Sequence, residues 1–248
     1  MKRLLIVLSL IATALPAASA SADTISVVGP GAGSGSYNST YSSYGTFTAT
    51  SNTPLTSKSY STFAGQILVN DVTTQTGYGV YCVDFFHDTN ATETMQLLSI
   101  GQYGSSSSTP VNVVAGAGAK IGWLVNQAVS GNVNTFATAV QLAIWEVAYD
   151  AAGGYDLTTG SFTASASAGT LAEANLLLSS LSSLLAAGAN LSAYHAIWFN
   201  STDSPRYQDF VAAGDPPPAV PEPATVVLLG AGLLGLGRAL KRKATATK

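Results

Sequence analysis

Cys82 is the single cysteine of this 248-residue chain, so no internal disulfide can staple the fold. Stability has to come from a buried apolar core, and the stretch between the two terminal signals is long enough to build one. The thiol lies in the strand-like run Tyr78-Gly-Val-Tyr-Cys-Val-Asp-Phe-Phe86. In a chain with export signals at both ends, a lone cysteine is intermolecular, reactive or incidental.

The N-terminal signal opens with the positive residues Lys2 and Arg3, and Leu4 to Ala18 is almost entirely apolar. Ala18-Ser-Ala20 and Ala20-Ser-Ala22 both satisfy the small-x-small cleavage pattern. Residues 1–22 therefore have the layout of a cleavable secretory signal peptide, and the apolar run is short for a spanning helix. At the other end, residues 216–223 form a Pro-rich linker, which can be neither helix nor central strand. The apolar run and basic tail of residues 224–248 follow, with Arg238, Lys241, Arg242 and Lys243 behind a Leu/Gly-rich stretch. A basic cluster in that place orients an apolar segment cytoplasm-inward.

Between the signals stand three basic residues (Lys58, Lys120, Arg206) and twelve acids from Asp23 to Asp215, a balance near −9. Nucleic-acid and anionic-membrane binding need clustered cations, so both are excluded as functions of this region.

Along the chain, residues 23–53 are rich in Gly, Ser, Thr and Tyr, and Gly29 to Gly35 has the composition of a flexible loop. Thr46 to Thr50 is a candidate first strand. Tyr60 to Val72, Gly77 to Phe86 and Thr92 to Ile100 have strand composition. After Pro110 the apolar period turns helical. Val111 to Val129 is one expected helix. A second is capped by Asn134, with Phe136, Val140, Ile144 and Val147 on one face. Thr170 to Ala187 is the third. Strands resume at Tyr194 to Phe199 and Arg206 to Val211. The expected fold is α+β, a mostly antiparallel sheet or partial barrel with a helical insertion over residues 54–215.

Two segments resemble a known family. Tyr81-Cys-Val-Asp84 in a strand, followed by Gln141-Leu-Ala-Ile-Trp145 in a helix, is similar to the paired motifs of the thioester (TQXA-type) domains of bacterial surface proteins. The position before Gln141 is Val140, where the family name records threonine. The resemblance implies that Cys82 and Gln141 condense into an internal thioester, which an amine or hydroxyl opens once to leave the protein covalently attached. It implies a shielded bond, for which Tyr81, Phe85 and Trp145 are the flanking aromatics. Asp84 and Glu146 are the candidate proton carriers, chosen by proximity. No cofactor or metal is implied, and no catalytic turnover. With only two lysines in the domain, copies of this protein offer each other few attacking amines; compositional bias accounts for the shortage equally well.

The C-terminal order Pro221-Glu222-Pro223, apolar run, basic end resembles the PEP-CTERM sorting signal of exopolysaccharide-producing bacteria. That implies transient anchoring in the inner membrane through a sorting helix, an exosortase-type processing enzyme as partner, and release to the cell surface or extracellular matrix. The covalent target would be exopolysaccharide or another amine- or hydroxyl-bearing surface.

Other assignments compete for the same residues. Free cysteine is commonly a small buried hydrophobe, which would make this a passive matrix component. A cysteine peptidase would need His87 or His195 beside Cys82, yet a strand continuing to residue 87 puts His87 on the opposite face. Asp84, Asp88 and Glu93 lack the spacing and glycine of a calcium loop, and are expected as solvated loop acids. Gln141 alone would be an ordinary exposed helix residue, whereas Trp123, Trp145 and Trp198 have the character of core.

Overall fold

Seven strands, all paired antiparallel, carry the domain in the computed structural model, which describes residues 22–41, 58–84, 87–89, 91–104, 113–129, 131–150 and 154–216. These fall within one compact unit, Ala22–Pro217. Residues 1–21, the Thr46–Thr50 segment, Phe85 and the sorting segment from Pro221 onward lie outside the described residues. The strands are β1 (Ala22–Tyr41), β2 (Lys58–Asp71), β3 (Thr76–Cys82), β4 (Thr92–Ser99), β5 (Phe162–Ser165), β6 (Ala196–Ser201) and β7 (Phe210–Ala213). Their order is β2-β3-β7-β6-β4-β1-β5, and β1 also pairs with β2, so six of them close into a ring. Closure leaves few free edges, which suits a protein that must not aggregate through its strands. Three helices, α1 (Ala117–Val125), α2 (Val133–Tyr149) and α3 (Ala168–Ala186), all lie between β4 and β6 in sequence. The expected α+β fold with a helical insertion is what the chain adopts.

β1 departs most from its sequence. Gly29 to Gly35, expected as flexible loop, belongs to a 20-residue strand. It pairs with β2 from Ile25↔Asp71 to Tyr41↔Lys58 and with β4 from Ala22↔Gln96 to Ser26↔Thr92. Register shifts between Val27 and Gly29, Pro30 and Gly33, and Gly33 and Ser36 absorb the glycines and the proline. Bulges are where such residues fit a strand, and the ladder to β2 outweighs a weak local propensity. The β2–β3 turn is built by Asp71, whose carboxylate accepts from Thr73 N (2.8 Å), Thr74 N (3.3 Å) and Thr74 Oγ1 (2.6 Å).

α2 and α3 begin within two residues of their expected starts, whereas α1 begins at Ala117, six residues after Val111. Asn132, two residues before the expected cap, accepts from Asn134 N (3.0 Å) and Thr135 N (3.2 Å) to open α2. Ser167 caps α3 by accepting from Thr170 N at 3.2 Å. α1 is shorter than its apolar period because Gly116 at its N-cap has φ of 74°. Inside α1, a Cβ on Gly118 would stand 2.0 Å from the Ile100 carbonyl oxygen, so only glycine permits that approach. α2 is the centre of the core: every residue from Phe136 to Tyr149 is buried, not only the Phe136/Val140/Ile144/Val147 face. It packs against β1, β2, α1, α3 and β5. A helix enclosed on all sides must bury its polar side chains too, and each then needs a partner. That requirement brings Gln141 to Cys82.

Among the described residues, no helix is long and apolar enough to cross a membrane.

Candidate functional site

Cys82 is the last residue of β3, paired with Phe210 of β7, and Gln141 lies in the third turn of α2. Both are buried, Gln141 completely. The Gln141 carboxamide is held at both ends by the backbone of Cys82: Cys82 N donates to Oε1 at 2.9 Å, and Nε2 donates to Cys82 O at 2.7 Å. A two-point grip of this kind fixes the plane of the amide beside the cysteine. It also places an N–H donor on the oxygen that would become negative if a nucleophile added to the carboxamide carbon.

The chain just beyond Cys82 is fastened from three sides. Val83 N donates to Asp209 O at 3.0 Å. Val83 O accepts from two buried phenols, Tyr103 at 2.8 Å and Tyr149 at 3.0 Å. Asp84 O accepts from Gln208 Nε2 at 2.7 Å. Burial holds the Tyr103 hydroxyl far above the usual phenol range, with Tyr149 and Asp84 adding to it, so it stays a neutral donor. Because Val83 O has two donors, Tyr103→Phe or Tyr149→Phe alone is expected to cost about 1 kcal/mol. The double replacement should cost more than the sum, since it leaves a buried carbonyl bare; urea unfolding of the three variants checks this.

Sequence spacing pointed to none of Tyr103, Tyr149 or Gln208. Each is an ordinary core or loop residue until the strands bring it to Val83 or Asp84.

Burial pushes the Cys82 thiol well above its ordinary range, and the fields of Asp84 and then Glu93 push it further. The two carboxylates, expected to be solvated, are buried. Asp84 Oδ2 bonds His87 Nδ1 at 2.5 Å. Glu93 sits in β4, where the Ile25↔Glu93 pairing joins it to β1. Tyr81 is buried and its hydroxyl is pushed up to about 12 by desolvation. Trp145 is buried against Phe162, with ring centroids 6.1 Å apart. Trp123 and Trp198 are core as well.

Glu146 faces a different neighbourhood. Its Oε1 accepts from Asp156 N at 2.8 Å, while the buried Oε2 has no hydrogen-bond partner among the described residues. Burial, with Asp150 and Asp156 nearby, raises it to about 8. Of the two candidate proton carriers, Asp84 is the one whose field reaches the thiol.

Neither histidine is bonded to Cys82. His87 is engaged with Asp84, and His195 with the exposed Asp215. Cys82 pairs with Phe210 and Phe210 with Phe199, whereas His195 lies four residues before Phe199, about 13 Å along the strand. Neither imidazole is therefore in hydrogen-bond contact with the thiol, as the base of a peptidase dyad would be. Among the described residues no group of three His, Cys, Asp or Glu side chains is placed to hold a metal ion.

Residues 219–243 match the PEP-CTERM protein-sorting motif. The match takes in Pro221-Glu222-Pro223, the apolar run and Arg238, Lys241, Arg242 and Lys243, as the order of those residues led us to expect. Two solved structures are similar to the domain. One is the N-terminal thioester domain of fibronectin-binding protein SfbI from Streptococcus pyogenes, at 16% identity and a TM-score of 0.41, over 73% of this chain and 94% of that one. The other is the N-terminal domain of the Streptococcus pyogenes pilus tip adhesin Cpa, at 15% identity and a TM-score of 0.37, over 77% of this chain and 100% of that one. No curated protein matches the chain.

Proposed function

We propose that this is an exported surface protein whose domain joins Cys82 to Gln141 as an internal thioester, then attaches covalently, once, to an amine or hydroxyl. The observation that carries the proposal is the reciprocal pair of hydrogen bonds between the Gln141 carboxamide and the Cys82 backbone. The sorting motif supports the address, with an exosortase-type enzyme as the processing partner.

In the bond-forming step, Cys82 Sγ adds to Gln141 Cδ. The Cys82 N–H steadies the negative charge on Oε1; one such donor is worth about 10²–10³ in rate. The C–N bond then breaks, and the thiol proton leaves with the nitrogen as ammonia, with Asp84 as the carboxylate that carries it. A thiol whose proton is held this tightly reacts slowly, which a single cyclisation per molecule tolerates and repeated turnover does not. In the second step an external amine or hydroxyl adds to the same carbon and the C–S bond breaks. The nucleophile's proton returns to sulfur, and Gln141 is left as a substituted amide or an ester.

The same burial of Cys82 supports a second reading, a passive matrix protein with an inert thiol. The intact mass of the purified Asp23–Asp215 domain separates them. The thioester predicts a wild type one ammonia lighter than its sequence, with Cys82→Ala and Gln141→Ala at full mass and methylamine taken up only by wild type. A protein one mass unit heavy, with glutamate at 141, has formed and hydrolysed the bond. An unmodified mass with intact Gln141 removes the mechanism and leaves the passive component.

A further inference from the structure

A groove runs between the segment 154–159 and α3. Its volume is about 670 Å³, within the range of small-ligand sites, and it is lined by Gly154, Tyr155, Asp156, Thr159, Asn175, Ser179 and Ser182. Three of these, Asn175, Ser179 and Ser182, fall on one face of α3 at helical spacing. The opposite face of that helix, Ala174, Leu177, Leu178 and Leu181, is buried in the core. The packing of α3 thus presents a polar row to the groove and holds it rigid.

We propose that this groove is a non-covalent binding site for an uncharged polysaccharide chain. A sugar offers a flat array of C–H bonds on one side and a rim of hydroxyls, each both donor and acceptor. Tyr155 supplies an aromatic surface for the first; one side of its ring is steadied by Lys120 Nζ, 5.7 Å from the centroid, and Lys120 is not part of the groove lining. For the second, Asp156 supplies a carboxylate fixed in place. Its Oδ1 accepts from Thr158 N (2.9 Å) and Thr158 Oγ1 (2.6 Å), Oδ2 from Thr159 Oγ1 (3.2 Å), and its own N–H is tied to Glu146. Asn175 is exposed on α3, where its side-chain amide can serve as both donor and acceptor. Ser179 and Ser182 give their protons to the helix carbonyls of Leu176 (3.0 Å) and Leu178 (2.9 Å), which turns their lone pairs outward as acceptors. No cation lines the groove, and its one charged side chain is an acid. Anionic sugars and phosphates are therefore repelled, while neutral hydroxyls are matched.

The proposal stands apart from the covalent chemistry at Cys82, and the test keeps the two separate. The full chain is titrated calorimetrically with cellohexaose, maltohexaose and chitohexaose, and with an alginate hexasaccharide as the anionic counterpart. At least one uncharged hexasaccharide is expected to bind and the alginate to bind more weakly. Tyr155→Ala should weaken that binding about tenfold, Tyr155→Phe should retain it, and Asn175→Ala should weaken it about fivefold. Asn175 is an exposed helix position where alanine keeps the fold, so that variant reports on the groove even if Tyr155→Ala unfolds. Cys82→Ala should bind as wild type. The site is refuted if none of the three uncharged hexasaccharides binds at millimolar concentration, if alginate binds best, or if Tyr155→Ala and Asn175→Ala both bind as wild type.

Discussion

Asp209→Ala is expected to lower the unfolding free energy by about 3–5 kcal/mol, the range for breaking one side of a buried charged network. The carboxylate is fully buried and collects three groups. Oδ2 accepts from Trp198 Nε1 (2.9 Å) and Arg206 Nη2 (2.7 Å), and Oδ1 from Ser201 N (2.9 Å). Its backbone oxygen also takes Val83 N, one residue past Cys82. Truncation leaves the indole and an amide without acceptors inside the core, and Arg206 with Asn200 alone, at 2.9 Å. Asp209→Asn should cost less, because its carbonyl keeps one acceptor in place. Urea unfolding compares the three proteins, and a loss below 1 kcal/mol for the alanine variant would mean water satisfies the stranded donors. If the Cys82–Gln141 bond forms as proposed, Asp209→Ala should also slow its formation, since loss of the side-chain anchors loosens the Asp209 backbone oxygen that holds Val83.

Glu146→Gln is expected to stabilise the domain at pH 8.5 and to flatten its pH dependence above pH 6.5. In the unfolded chain the carboxyl has its ordinary pKa of 4.5, whereas in the fold burial raises it to about 8. Between those values the native state holds a proton that the unfolded state has released, so stability falls as pH rises through the window and levels off above it. The charged form is costly because Oε2 has no partner among the described residues and Asp150 and Asp156 are close. At about 1.4 kcal/mol per pKa unit the full loss across that window is on the order of 5 kcal/mol. Asp209, raised to about 6 by burial against the opposing pull of Arg206, adds a loss of the same sign at lower pH, so the comparison belongs above pH 6.5. Glutamine keeps the acceptor for Asp156 N and offers an N–H₂ where the second oxygen stood, and it does not titrate. Equal slopes for wild type and variant between pH 6.5 and 8.5 would show that Glu146 is ionised in the fold.

Legibility in the sequence followed the range of the interaction concerned. β2 and β3 announce themselves through β-branched and aromatic residues, and α3 through its Leu171-Ala-Glu-Ala-Asn-Leu-Leu-Leu178 run. These are local preferences that neighbouring residues settle among themselves. β5 went unseen because a four-residue strand between two helices carries too few residues to show a period. α2 was legible as a helix but not as a buried one. Its apolar face at Phe136, Val140, Ile144 and Val147 gave no sign that Gln141 and Glu146 on the other side would also be enclosed.

The terminal sorting motif and the choice of helix or strand along most of the chain were in the sequence, because each rests on residues within a few positions of one another. So was the absence of any internal disulfide. The tertiary structure alone decided that the Gly-rich β1 closes the ring, since ladder bonds to β2 and β4 are what hold it extended. The motif resemblance already paired Cys82 with Gln141; the tertiary structure alone supplied the backbone hydrogen bonds that hold the carboxamide across 59 positions of chain, set Tyr103 and Tyr149 on the next carbonyl, and turned Glu146 away toward Asp156. Hydrogen bonds between distant segments depend on strand register and helix rotation, and composition encodes neither.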